Sequence, residues 1–422
     1  MKVWIVSVGE PLPSDGENVR LRRMGNLAQY ITANGADSVD WFSVSFDHYK
    51  KTQRVQKDTV LTLKPNYRMH LMWANGYKRN VSFARIRHHN MGAKHILREM
   101  ERMAKAGDMP DVIVASMEPL EMSSVSVKFA QKHNIPIVVD VRDLWPEIYY
   151  EVIPQKLHFL LDIYVRYCAG SLGKTMSGAT SIVGLSEDFL QYGLKYARRE
   201  KREKDAVIPI GYPNYDYSAY KGNYRHLKER FGIEQDDFIV TFLGNFGNQF
   251  DFEPIVAAAQ ALKAHKDIKF VLCGTGIQME SLQERVADCG VIFPGWIEKE
   301  DIATLTANSH LGLAPYIDSQ NYQKNTPNKF GEYLSASLPP ILGVGGLMEK
   351  LVTEHACGRV YRNGEELTRI VREFYEDRQL LSNFAQNARA LYEARFNAEK
   401  INAVFYGHLR ELAKEDVKNE AV

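Results

Sequence analysis

From residue 238 onward the chain alternates regularly between short apolar runs and helical stretches, and that alternation leaves few folds open to it. Residues 238–244, 269–273, 291–293, 311–315, 341–343 and 358–361 read as strands, and 253–264, 279–289, 300–308, 328–336 and 347–355 as the helices between them. Strands this short, separated each time by a helix, predict a parallel sheet wound on both faces. Three more helices, 365–376, 378–395 and 398–414, close the chain. The first half has the same rhythm. Strands are expected at 2–8, 39–46, 112–116, 135–141 and 178–185, an extended run at 59–73, and helices at 20–34, 82–106 and 123–132. A further helix follows Ser186, with Glu187 and Asp188 in its first turn. The charged run 198–205 and the Pro- and Gly-bearing stretch after it form the best linker in the chain. Two α/β domains joined there, 1–206 and 207–396, are the expected architecture.

The 422 residues are 45% apolar and 25% charged, an ordinary globular balance that argues against disorder. Cys168, Cys273, Cys289 and Cys357 stand far apart with no Cys-x-x-Cys pair, which speaks against a zinc site or a disulfide framework and for a reducing compartment. The first eight residues read as a strand rather than a signal sequence, and the apolar stretch 157–169 is broken by Asp162 and Arg166, so a cytoplasmic protein is expected. Residues 156–165 read as a packed core helix, the alternative being a bilayer contact.

The net charge of +1 hides an asymmetry. Residues 1–205 hold 30 Lys and Arg against 23 Asp and Glu, and the remainder 23 against 29. The basic half is expected to face something anionic: a phospholipid surface at the inner membrane face, or a lipid-diphosphate acceptor. Nucleic acid is disfavoured, because the basic clusters carry no interleaved aromatic platforms. His88, His89 and the other histidines show no metal spacing, and no metal ligands are assigned.

In an open parallel sheet ligands bind beyond the carboxyl ends of the strands. In the second half those ends are Gly244-Asn245-Phe246-Gly247-Asn248, Gly274-Thr275-Gly276, Pro294-Gly295-Trp296-Ile297, and the stretch from Pro315 through Asn325 to Pro327. The helix after Pro327 puts Lys329 and Glu332 three apart on one face. A lysine there can neutralise a diphosphate and a glutamate can accept from ribose hydroxyls, which suits a nucleotide-sugar. The glycine-bearing loops offer backbone N–H groups to phosphate. In the first half the strand ends supply Glu10, Glu118 and Asp143. Glu118 is a candidate to orient or deprotonate an acceptor, and Asp143 either acts on the acceptor or pins the Leu144-Trp145-Pro146 turn. Arg22 and Arg23 are candidates to meet an anionic acceptor, and Trp145 reads as core.

The stretches FLGN, FVLCGTG, FPGW and PNKFGEYLSASLPPI resemble the donor half of a GT-B glycosyltransferase of family 4. The segment RDLWPE at Arg142–Glu147 and the opening GEPLPSDGENVRLRRMGNLAQYI resemble a subgroup that builds surface polysaccharides such as O-antigen, capsule or exopolysaccharide. The resemblance implies two Rossmann-like domains facing across a cleft and a last helix, 397–422, that crosses back to the first domain. It also implies retaining, metal-free transfer from a nucleotide-diphosphate sugar, UDP-sugar favoured, to a lipid-linked or growing polysaccharide acceptor, with no further cofactor. Lys329, Glu118 and Asp143 are then the catalytic candidates. Many family members pair two glutamates eight apart. Glu332 fits the second, but Lys324 stands at the first, so sugar contacts are expected from Asn321, Lys324 or Asn325. A nucleotide-sugar 2-epimerase shares the architecture and is the alternative. A catalytically silent donor-binding partner is the third reading.

Overall fold

Side chains alternate across each central strand so that both faces are apolar, and both faces are covered. In the first strand, Val3 and Ile5 join a cluster with Met24, Leu27 and Trp41, while Trp4 and Val6 join Phe42, Ile113 and Phe129 on the opposite face. The computed structural model describes residues 1–16, 19–33, 35–80 and 82–419. The chain divides into two compact units, Met1–Pro209 with Glu399–Val422, and Ile210–Ala398.

The sheet of the N-terminal unit runs Ala206–Val207, Ser181–Gly184, Ile137–Val141, Val112–Ser116, Lys2–Val6, Ser38–Val44, Tyr67–Met72 and Thr59–Lys64. All neighbours are parallel except the last two strands. The expected single extended run at 59–73 is therefore corrected to an antiparallel hairpin. Its turn falls at Pro65-Asn66, where the Asn66 side chain donates to the carbonyls of Thr32 (3.0 Å) and Asp37 (2.8 Å). The first helix, Arg23–Ala33, starts three residues later than expected. Its expected end at Asn34, like Glu17 and Asn18 of the opening segment, lies outside the described residues. Ser82 and Ser186 cap their helices through their side chains, accepting from the N–H groups of Arg85 and Phe189. The last helix, Ala398–Asn419, buries Phe405, Leu409 and Leu412 in the core of the N-terminal unit, and its His408 ring meets Ser181 Oγ at 2.9 Å. Residues 420–422 of the expected closing segment lie outside the described residues.

The second unit is fully parallel, in the order Ile292–Gly295, Ile268–Cys273, Phe238–Leu243, Leu311–Ala314, Pro340–Leu342 and Arg359–Val360. The chain steps outward from Phe238–Leu243 in one direction, returns, and steps outward in the other. The order therefore reverses between Phe238–Leu243 and Leu311–Ala314, and the crevice beyond that pair is where such sheets hold ligands. Helix Tyr224–Phe231, which sequence reading passed over, carries just two buried apolar residues, Leu227 and Phe231, in a charged stretch. Asn223 caps its start and Gly232, at φ 68°, closes it. Helix Met279–Arg285 stops four residues before its expected end. Among the described residues no helix is long and apolar enough to cross a membrane.

Candidate functional site

In the second unit, three strand ends lock together through their backbones. Gly244 N–H donates to the Cys273 carbonyl (3.0 Å), Phe246 N–H to that of Thr275 (2.9 Å), and Gly274 N–H to that of Gly295 (2.7 Å). These approaches require glycine: a Cβ on Gly274 would collide with the Gly244 carbonyl, and one on Gly276 would stand 2.6 Å from Phe246 N. Phe246 was expected at the donor. Its side chain is instead fully buried among Phe242, Phe252 and Phe293, so it anchors the loop. No hydrogen bond takes up the N–H groups of Asn245, Gly247 or Asn248 among the described residues. Backbone N–H groups left open at a strand end in this way can receive an anion such as a phosphate.

Lys329 lies in the first turn of helix Asn328–Ser335, and its Nζ comes down on Gly244, where any Cβ would collide with it. The ammonium stands 4.7 Å from the Phe242 ring and 5.4 Å from the Phe250 ring. The loop is tied to the neighbouring strand end by Asp251 N–H to the Pro315 carbonyl (2.8 Å) and Ile317 N–H to that of Gln249 (3.1 Å). Lys329 is thereby held at the point where strand order reverses. One turn on, Glu332 is buried, and its Oε1 accepts from the Tyr212 hydroxyl at 2.8 Å. Burial pushes the Tyr316 hydroxyl pKa up, with Tyr322 and then Glu332 adding to it. Tyr212 belongs to the stretch expected as a linker. In the structure it is buried and bonded at both backbone ends, to Phe396 (2.7 Å) and Ala398 (3.0 Å). Tyr212→Phe removes one hydrogen bond to a carboxylate. It is expected to lower nucleotide affinity by about tenfold, with an unchanged Kd in a titration counting against a positioning role.

The other expected donor contacts divide. Trp296 is 72% exposed and available to a ligand, whereas the Ile297 side chain is buried in the core. Asn321 and Asn325 are buried, and Asn325 Oδ1 accepts from Thr326 N–H at 2.8 Å. Lys324 Nζ meets Gln320 Oε1 at 3.5 Å. A further glycine-bearing strand end, Gly343–Gly346, opens helix Leu347–Glu354, and a Cβ on Gly346 would collide with the Gln323 carbonyl. Its signal was three glycines directly after a buried strand.

In the N-terminal unit, Glu10, Glu118 and Asp143 follow three adjacent strands, as expected. Arg23 was expected to meet an anionic acceptor. It is instead buried in a two-bond ion pair with Asp140 (both 2.9 Å) and also donates to the Pro209 carbonyl (2.8 Å). Arg22 donates to the Tyr49 hydroxyl at 2.6 Å. Within the RDLWPE segment Arg142 pairs with Glu10, and Glu147 accepts from the hydroxyls of Tyr192 and Tyr196. Glu118 differs from these paired groups: its Oε1 is buried and has no hydrogen-bond partner. Burial raises its pKa well above the ordinary carboxylate range, and the charge of Asp143 raises it further against the pull of Arg142. Glu118 and Asp143 both line a cavity of about 730 Å³. Trp145 lines it too while packing on Tyr164, so it is both wall and core. The segment expected as a packed core helix becomes part of helix His158–Ser177, and it leaves Phe159, Leu160 and Ile163 exposed. Among the described residues no group of three or more His, Cys, Asp or Glu is placed to hold a metal ion.

The two Rossmann-like units have the architecture of a GT-B glycosyltransferase. Residues 223–391 match the family described as glycosyl transferases group 1. Among solved structures the chain is similar to sucrose-phosphate synthase from Thermosynechococcus elongatus, with 17% identity, 97% of this chain and 98% of that one covered, and TM-score 0.70. It is also similar to HepE of Anabaena in complex with UDP (16%, 97% and 99%, 0.62). A third is WaaG, a glycosyltransferase involved in lipopolysaccharide biosynthesis (16%, 96% and 99%, 0.62). At these identities the structures show the fold, and the domain match carries the activity. No curated protein matches the chain in sequence.

Proposed function

We propose that the chain transfers a sugar, with retention and without a metal ion, from a UDP-sugar to a lipid-linked or growing polysaccharide acceptor in surface-polysaccharide synthesis. In this reading the second unit binds the donor. The N-terminal unit binds the acceptor and, through its basic surface, touches the anionic inner face of the membrane. The observation that carries the reading is the Lys329 ammonium seated on the Gly244 turn where strand order reverses. There it neutralises the charge that develops on the departing diphosphate, helped by the N–H groups of Asn245, Gly247 and Asn248. Glu332, oriented by Tyr212, accepts from the ribose hydroxyls. Trp296 offers a flat surface beside the base. Glu118 takes the proton of the acceptor hydroxyl as the sugar–phosphate bond breaks and the new glycosidic bond forms, with Asp143 beside it. The UDP complex of HepE and the lipopolysaccharide role of WaaG support the donor and acceptor classes. The 2-epimerase alternative is not favoured, since the similar structures include synthases and transferases.

Thermal unfolding with UDP, GDP, their sugar conjugates and NAD(H) tests the donor. A UDP-sugar at a hundredfold its Kd is expected to raise the midpoint by about 5 °C or more, equally with and without chelator. A shift with NAD(H) alone, or one abolished by chelator, would overturn the reading.

A further inference from the structure

The cavity of the N-terminal unit has apolar walls, among them Phe83, Ile86, Trp145, Leu157, Leu160 and Tyr164. Its volume of about 730 Å³ lies within the range of about 300–1,000 Å³ usual for small-molecule sites. The walls continue onto the protein surface. Phe83 is 91% exposed, and helix His158–Ser177 carries Phe159, Ile163 and Tyr167 at four-residue spacing, 62%, 64% and 81% exposed. Apolar side chains so placed and so exposed mark a surface that meets something apolar.

One rim of the same cavity is cationic. Lys51 donates to Asn80 Oδ1 at 2.7 Å and Arg85 to the Asn80 carbonyl at 2.9 Å, and both face the Tyr77 ring, at 4.6 and 5.8 Å. Asn80 and Arg85 line the cavity. Among the described residues neither cation forms an ion pair with a carboxylate; the acid charge acting on Lys51 is Asp47, which is itself paired with Arg54 at 3.1 Å. His89, next along the helix, faces Glu121 at 3.6 Å. The local field is strong enough to matter to its neighbours: His48 is pushed down to about 4 by burial first, and then by Lys51, Arg85 and His89. Farther in, the cavity reaches Glu118 and Asp143, the acidic groups assigned to an acceptor hydroxyl.

An apolar chamber, an unpaired cationic rim and a carboxylate for a hydroxyl together describe one ligand chemistry. We infer that this cavity holds a sugar-bearing lipid phosphate, with its apolar chain along Leu160, Leu157 and Phe83 and its phosphate or diphosphate against Arg85 and Lys51. The inference rests on the acceptor-binding reading of the N-terminal unit and decides between the two acceptor classes left open above. The surface these walls expose is mainly apolar, although Asn80, Ser82, His89 and Glu121 also reach it, and a lipid chain longer than the chamber can continue along Phe159, Ile163 and Tyr167 toward a bilayer.

Calorimetric titration of the full chain with farnesyl diphosphate, farnesol, inorganic pyrophosphate and UDP tests this. Farnesyl diphosphate is expected to bind at least tenfold more tightly than either farnesol or pyrophosphate. Leu160→Glu and Arg85→Ala should each weaken it at least tenfold and leave UDP binding unchanged. Phe83→Ser, at a side chain too exposed to support the core, should act in the same direction. Lys329→Ala should leave farnesyl diphosphate binding intact, which separates this cavity from the donor's diphosphate site. The inference is overturned, with the transferase reading intact, if UDP binds but farnesyl diphosphate does not. Pyrophosphate binding equally well, or farnesyl diphosphate binding that survives both chamber variants, would overturn it in the same way. Loss of UDP binding in the unaltered chain would instead sink the transferase reading.

Discussion

Lys329→Ala is expected to lower UDP affinity by about 10- to 100-fold, the scale of one charge-assisted contact to phosphate, while the affinity for uridine stays unchanged. The split follows from where the ammonium sits. It stands over the Phe242 and Phe250 rings and against Gly244, at the strand ends proposed to receive the diphosphate, and not beside Trp296, where the base is proposed to lie. The variant should keep its fold, because what it removes is a half-buried chain tip whose ring contacts are worth about 0.5–1 kcal/mol. Glu332→Gln should cost less than Lys329→Ala, since an amide oxygen still accepts from Tyr212. Titration calorimetry with UDP and uridine on the three proteins measures both differences. Equal loss of UDP and uridine in Lys329→Ala would mean a disturbed domain rather than a lost phosphate contact. An unchanged Kd for UDP would place the diphosphate elsewhere.

The second unit was largely legible before its structure because its strands are short, apolar on both sides and punctuated by glycine. The end of Phe238–Leu243 at a glycine loop and the Lys329/Glu332 spacing could be read off the letters. Letters alone could not show which loop residues face a ligand. Phe246 and Ile297 sit among candidate residues but point into the core, because a strand end sends alternate side chains inward. Tyr212 was hidden for the opposite reason. It lies 120 residues from Glu332, in a stretch whose prolines and glycine mimic a linker, and tertiary contact alone reveals its role. In the N-terminal unit, the hairpin at Pro65-Asn66 was legible as a Pro-Asn turn signal between two β-favouring segments, and reading the two as one extended run passed over it. Arg23 was misjudged because a buried ion pair across 117 residues leaves no local trace. Of the cavity, only Glu118, Asp143 and the RDLWPE segment were legible; its remaining walls, from helices Phe83–Lys105 and His158–Ser177, come together through tertiary contact and carry no motif for it.

The second large effect belongs to Glu118→Gln, expected to reduce kcat by about 10²- to 10⁴-fold, the usual worth of a positioned general base. An accompanying gain in stability would distinguish it from a damaged fold. Glu118 is half-buried with one buried oxygen unpartnered, and desolvation and Asp143 both raise its pKa. Between the ordinary carboxylate pKa and that raised value, the folded chain holds a proton that the unfolded chain has released. Stability contributed by this group therefore falls as pH rises through the window. Glutamine has no proton to lose, so the variant should unfold at a higher temperature than the unaltered chain at neutral and alkaline pH, and the two should converge toward acid pH. The unaltered enzyme's rate should rise with pH through the same raised pKa, and that limb should vanish in the variant. Asp143→Asn should move the limb to lower pH, because the larger of the two charges that raise the pKa is gone. A rate and pH profile untouched by Glu118→Gln would remove this carboxylate from the chemistry. A slow variant that is also less stable would make Glu118 a structural group, and the proton would then have to leave by way of the departing diphosphate.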